Sequence, residues 1–170
     1  MRLIILGAGG HGQVVTDIAR QTGRYKKVQF LDDYVADADV IGKCGDFLQF
    51  RNEDTEMYPA FGNNEARIEW ENRMIEEGIS LAKIIHPLAY ISPQAEVADG
   101  CLIMPYAIVN TGTKIKKACI LNIGSLIDHD CILEEGCYLA PGAIVKGENN
   151  LSKGRKVDSG EVIPLQFYKL

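Results

Sequence analysis

From Ile91 onward the chain repeats itself in sixes. Ile91, Val97, Ile103, Val109, Ile115, Leu121, Ile127, Leu133, Leu139, Val145, Leu151, Val157 and Ile163 are all aliphatic. Roughly a quarter of the chain is Ile, Leu or Val, so chance does not produce such a run. Four places into each hexad stand small residues: Ala95, Cys101, Ala107, Thr113, Cys119, Ser125, Cys131, Cys137 and Ala143. One place earlier, Gly100, Gly112, Gly124, Gly136, Gly142, Gly154 and Gly160 mark a recurring corner, where a residue without Cβ turns most easily. A period of six fits neither a helix nor an alternating strand. It predicts a triangular coil with three hexads in each 18-residue turn, the aliphatic column buried by stacking of coils. About four coils fit between 91 and 162.

The first half reads differently. Leu3 to Leu6 is an apolar run that ends in Gly7-Ala8-Gly9-Gly10-His11-Gly12, and an amphipathic stretch with Val14, Val15, Ile18 and Ala19 follows. This predicts strand, glycine turn, helix. A second strand, Val28 to Leu31, ends in Asp32-Asp33, twenty residues beyond Gly12. In such a βαβ layout, amides at a helix start approach phosphates and a carboxylate accepts from a ribose or base. A plain glycine-rich turn beside a solvated acid pair is the alternative. A third strand is expected over Met57 to Phe61, a helix over about 65–77 and a fourth strand over Leu81 to Ile85. The segment 36–56 is a crossover without a readable element. With some 85 residues, this half is too short for the six strands of a dinucleotide fold and suits a single nucleotide. The expected domains are 1–86, α/β and Rossmann-like, and 87–170, the coil.

Composition removes several function classes. A net charge of −5 offers no broad cationic surface for nucleic acid or anionic lipid. No apolar run reaches the roughly 18 residues of a membrane span, and Met1-Arg2 leads directly into a strand, which reads as cytoplasmic. Five cysteines without a CxxC pair or clustered histidines argue against a disulfide framework or a metal site. Four of them occupy the small inward slot of the hexad, a packing role.

Taken together, GAGGHG, FLDD, FGNNEAR, IIHP, LIMPYAIVN and LNIGSLIDHDC, in this order, resemble the NeuD/PglD-type sugar acetyltransferases, from residue 2 to about 147. The resemblance implies a left-handed β-helix for the hexads. It also implies transfer of an acetyl group from acetyl-CoA to an amine, or less often a hydroxyl, of a sugar, in bacterial surface glycan synthesis. The implied acceptor is a nucleotide-linked 4-amino-4,6-dideoxy sugar, a UDP-sugar in this reading. It places Gly9, Gly10 and His11 at the diphosphate, Asp32 and Asp33 at the nucleoside, and Gly62 and Asn63 at the border of that pocket. His129 becomes the general base, with Asp130 raising its basicity, and Gly147, 18 residues on, supplies an amide to the oxyanion. By register alone His129 is an exposed corner residue, His11 a loop residue, and Asp130 a turn residue in the glycine slot. The family further implies a homotrimer with sites between subunits.

The sequence departs from the family in two places. Tyr138 stands nine residues after His129, where the family carries a histidine near the CoA thiol. The chain also ends 41 residues after His129, and Asn149, Arg155 and Glu161 replace small inward residues. A polar cap or a shortened CoA groove would both give that pattern. Competing readings are therefore a sialic-acid-type O-acetyltransferase, an inactive nucleotide-sugar binder, and an NAD-dependent oxidoreductase, the last disfavoured by the short first half.

Overall fold

The computed structural model describes residues 1–165 and divides into two compact units between Ile84 and Ile85. In the first, β1 (Arg2–Leu6), β2 (Lys27–Leu31), β3 (Thr55–Pro59) and β4 (Ser80–Leu81) form one parallel sheet in the order β2-β1-β3-β4. Helix α1 (Gly10–Gln21) links β1 to β2, and α2 (Asn64–Glu76) links β3 to β4. Leu3 to Leu6 are buried without exception, as expected of a central parallel strand covered on both faces. The 36–56 crossover contains a 3₁₀ helix, Cys44–Phe50, which adds Cys44 and Phe47 to the core beside Leu31 and Met57.

The single strand expected over 81–85 is two elements. Ser80–Leu81 adds to the edge of β3, whereas Ile84–Ile85 joins a sheet of the second unit. His86 belongs with the latter, since its amide donates to Ile103 O at 2.8 Å. The apolar residues of 81–85 do not reveal that the chain changes sheets there.

The second unit is the left-handed parallel β-helix. Two-residue strands recur every six positions and stack into three sheets. One holds Tyr90–Ile91, Ile108–Val109, Leu126–Ile127, Ile144–Val145 and Val162–Ile163. A second holds Glu96–Val97, Lys114–Ile115, Ile132–Leu133 and Asn150–Leu151, and the third includes Leu102–Ile103, Ile120–Leu121, Tyr138–Leu139 and Lys156–Val157. The aliphatic column from Ile103 to Val157 forms one core cluster with the inward cysteines. Each of those thiols also donates to a carbonyl fifteen residues on, as Cys119 Sγ does to Glu134 O at 3.3 Å. All five cysteines are free and buried.

Every corner from Gly100 to Gly160 takes positive φ, whether or not it is glycine: Tyr106, Ala118, Asp130 and Glu148 adopt φ of 55–60° at four of them. Further along, Asn149 is buried and its Nδ2 donates to Lys146 O and Pro164 O, while Arg155 pairs with Glu161 at 3.2 Å. The polar replacements in the inward slot thus satisfy one another and the backbone. Among the described residues no helix is long and apolar enough to cross a membrane.

Gly12 fixes how closely α1 sits on β1. A Cβ at Gly12 would land on the carbonyl oxygen of Gly7 and 3.0 Å from its carbon, backbone atoms that cannot swing aside. Gly12→Ala is expected to cost about 3 kcal/mol, lowering the melting temperature by roughly 5–10 °C. Gly10→Ala, with open space at its Cβ, should leave it within about a degree. Circular dichroism melts of the two variants check this.

Candidate active site

In the first unit the expected nucleotide-binding residues gather at the carboxyl ends of adjacent parallel strands, the edge at which open α/β sheets bind ligands. Gly9, Gly10 and His11 follow β1, Asp32 and Asp33 follow β2, and Gly62 and Asn63 follow β3. Gly7 turns the chain with φ of +100°, and Gly9 caps α1 without any side chain. Cβ positions at Gly9, Gly10 and Gly62 would meet nothing within 4 Å, so protein packing does not demand glycine there; the small residues leave the edge open.

Two of these residues have duties the sequence did not reveal. Asp32 accepts from the Ala8 amide at 2.7 Å through Oδ2, and from the Tyr34 and Val35 amides at 2.8 Å through Oδ1. Burial works against its charge, yet the three amides hold the carboxyl below the usual range. It therefore ties the glycine loop to the end of β2. Asn63 caps α2, its Oδ1 accepting from the Ala66 amide at 2.9 Å. Asp33 is exposed and receives the Cys44 amide at 3.3 Å.

His11 lies in the first turn of α1, half-buried. Its Nε2 is sealed from solvent without a hydrogen-bond partner. Burial and then the Arg67 guanidinium push its pKa down, so the ring is neutral near pH 7 and presents one N–H donor. Arg67 is fully buried, and holds the β3–α2 turn through Nη1 to Phe61 O at 2.8 Å and Nη2 to Asn64 Oδ1 at 2.9 Å.

In the second unit His129 sits at the corner between the first and second sheets, its side chain 42% exposed. Nδ1 lies 2.9 Å from Asp130 Oδ2. An Nδ1–H held by that carboxylate leaves the lone pair on Nε2, the basic nitrogen of a neutral ring. Asp130 has φ of 55°, so it is the left-handed turn residue and the imidazole's partner at once. Its hydrogen bond raises the His129 pKa above 6.5; partial burial opposes this, and the charges of Asp128, Asp130 and Glu148 add to it.

Gly147 lies one coil further on. A Cβ there would stand 2.8 Å from His129 Nε2 and 3.0 Å from Cε1, so the imidazole rests against bare backbone. Asp128 is a member of the site the hexad register did not single out. It accepts from the His129 amide at 2.8 Å and from Asn110 Nδ2 at 3.1 Å. The His129 amide first, then Asn110, the imidazole and the Gly147 amide, keep its carboxyl below the usual range against burial. Asn110 and Asp128 are 18 residues apart, the spacing that would have disclosed them. Tyr138 is not brought to this corner within the chain. It stands on the third sheet, where its hydroxyl accepts from Asn122 Nδ2 at 2.9 Å.

Among the described residues no group of three or more His, Cys, Asp or Glu is arranged to hold a metal ion. Titration of His129 by NMR should give a midpoint above 6.5, and Asp130→Asn should move it downward, since the largest cause of the rise is then gone.

Residues 2–74 match the model of the PglD N-terminal domain family. The acetyltransferase domain of PglB from Neisseria gonorrhoeae, solved in complex with acetyl coenzyme A, is similar at 32% identity over 95% of this chain and 86% of that one, with a TM-score of 0.82. A variant of perosamine N-acetyltransferase from Caulobacter crescentus, in complex with CoA and GDP-perosamine, shares the fold at a TM-score of 0.88. Its identity is 24%, over 96% of this chain and 89% of that one. WeeI from Acinetobacter baumannii does so at 0.80 and 20% identity, over 96% and 92%. With the motifs of both halves in one chain and a relative this similar across nearly its whole length, the protein belongs to the PglD/NeuD-type sugar acetyltransferases.

Proposed function

We propose that the protein transfers an acetyl group from acetyl-CoA to the amine of a nucleotide-linked 4-amino-4,6-dideoxy sugar, a UDP-sugar, for surface glycan synthesis. The observation that carries this reading is the His129–Asp130 pair resting on Gly147, an outward imidazole with its basic nitrogen opposite a backbone without a side chain. The sugar amine attacks the thioester carbonyl carbon as His129 Nε2 takes its proton, a C–N bond forms, the C–S bond breaks, and the departing thiolate receives the proton. The Gly147 amide, now among the groups facing Asp128, turns its hydrogen bond to the thioester oxygen as negative charge develops there. Gly9, Gly10 and His11 take the diphosphate, His11 as a neutral donor, and Asp33 takes the nucleoside; Gly62 and Asn63 border the sugar. Asp32 contributes by holding the loop.

The same reading includes a homotrimer. On the outer face of the first sheet, Tyr90, Ile108, Leu126, Ile144 and Val162 form an unbroken apolar column, with Leu88, Tyr106 and Ile123 exposed at the adjoining corner. Exposed apolar area of this extent marks a protein interface. The His129 corner borders that sheet, and in this reading a second copy seated there supplies its Tyr138, whose phenol donates to the thioester end of CoA. A heterologous contact closes as a ring of three where each copy is turned by a third of a circle from the last.

Mixing the protein with acetyl-CoA and a UDP-4-amino sugar should release free CoA, corrected for the five protein thiols. His129→Ala should lose about 10²–10⁴-fold in kcat. Gly147→Ala, which puts a methyl group against Nε2, should lose about 10²-fold. The rate should rise with pH through a midpoint above 6.5, because the base must be unprotonated. Release with a GDP-sugar alone would overturn the choice of nucleotide, release with a sugar alcohol alone would mean O-acetylation, and binding without release would mean a binder. By light scattering the mass should be three times the 18.7 kDa of one chain, and Ile108→Glu should reduce it.

A further inference from the structure

We propose that Gly112 is a positioning residue for the His129 base: by having no side chain it leaves the space into which Asp130 folds its carboxylate, and so keeps that carboxylate on Nδ1. The inference rests on His129 being the base, and concerns a residue one coil before Asp130, as Gly147 lies one coil after His129.

A Cβ at Gly112 would fall on Asp130 Oδ1 and 3.1 Å from its Cγ. The other carboxylate oxygen, Oδ2, is the one 2.9 Å from His129 Nδ1. The Asp130 backbone is pinned by its amide, which donates to Thr111 O at 2.9 Å, and its carboxylate lies over Gly112 with Oδ2 on the imidazole. The turn itself does not demand this space. Gly124, Gly142, Gly154 and Gly160 occupy the same left-handed corner with φ of 65–69°, and a Cβ at any of them would meet nothing within 4 Å. Nor does the corner demand glycine, since Ala118 adopts φ of 59° in this chain. What sets Gly112 apart is the Asp130 carboxylate lying over it. A methyl group there displaces the end of a flexible side chain rather than backbone, so the fold survives and the Asp130–His129 contact does not.

The experiment compares Gly112→Ala with Gly124→Ala, which carries the same left-handed strain with open space around the new methyl. His129 is titrated by NMR without substrate, and the pH dependence of kcat/KM is measured beside it. Gly124→Ala should keep both midpoints at the wild-type position. Gly112→Ala should lower both, as Asp130→Asn does, and lose roughly tenfold in kcat/KM, part of the 10²–10⁴ that a general base contributes. Asp128 and Glu148, the other charged groups facing the ring, are unchanged in both variants, so the shift reports Asp130. Combining Gly112→Ala with Asp130→Asn should add nothing to either change. Wild-type titration and wild-type pH profile in Gly112→Ala would overturn the proposal. A shifted titration in a protein that transfers no acetyl group would overturn the proposed function and leave the positioning intact.

Discussion

Parallel backbone hydrogen bonding between successive turns sets each residue of the coil beside the one 18 positions on. Leu126 N donates to Ala143 O and Asp128 N to Val145 O, both at 2.9 Å, and the pattern continues through the stack. The site depends on this ladder. It lays His129 on Gly147, Asp128 beside Asn110 and Glu135 between Lys117 and Lys153. Corner side chains are exposed and would otherwise spread over several rotamers; a neighbour fixed a short rise away leaves them few. A histidine at a solvated turn thus acquires the definition that other enzymes obtain by burial.

The hexad period exposed nearly all of the second unit, because one side chain in six must fill a narrow prism and the column admits no exception. The corner was legible as a glycine preference but not as a requirement: Tyr106, Ala118, Asp130 and Glu148 show that backbone geometry, held by the ladder, is stronger than residue preference. His129 and Gly147 could be paired from the sequence, since their spacing is one turn. Asp128 bears the same one-turn relation to Asn110, whereas the amide that also comes to it leaves no mark in the sequence. The strand break between Leu81 and Ile84 was hidden for a related reason: an apolar run tells that a strand is covered and not which sheet receives it.

In the first unit the glycine turn was readable, and one of the two acids has a duty its spacing does not show. Asp32 stands at the distance from the glycine loop that a ribose-binding carboxylate would occupy, yet its oxygens are committed to three amides of its own chain. Spacing identifies where a group lies along the strand edge, and leaves open whether protein or ligand uses its lone pairs. Arg67, set among polar residues in sequence, is instead fully buried and shapes the electrostatics of His11.

The ladder also limits how such a chain can change length. Inserting 18 residues anywhere in the stack adds a storey and returns every later residue to the edge it had before, so the overlay at the His129 corner survives if the new storey lies outside it. Inserting six rotates everything downstream to the next edge of the prism, and a glycine that faced an imidazole would face a different wall. The architecture is therefore tolerant of growth in whole turns and intolerant of growth in single hexads, a counting rule imposed by geometry before any chemistry is selected.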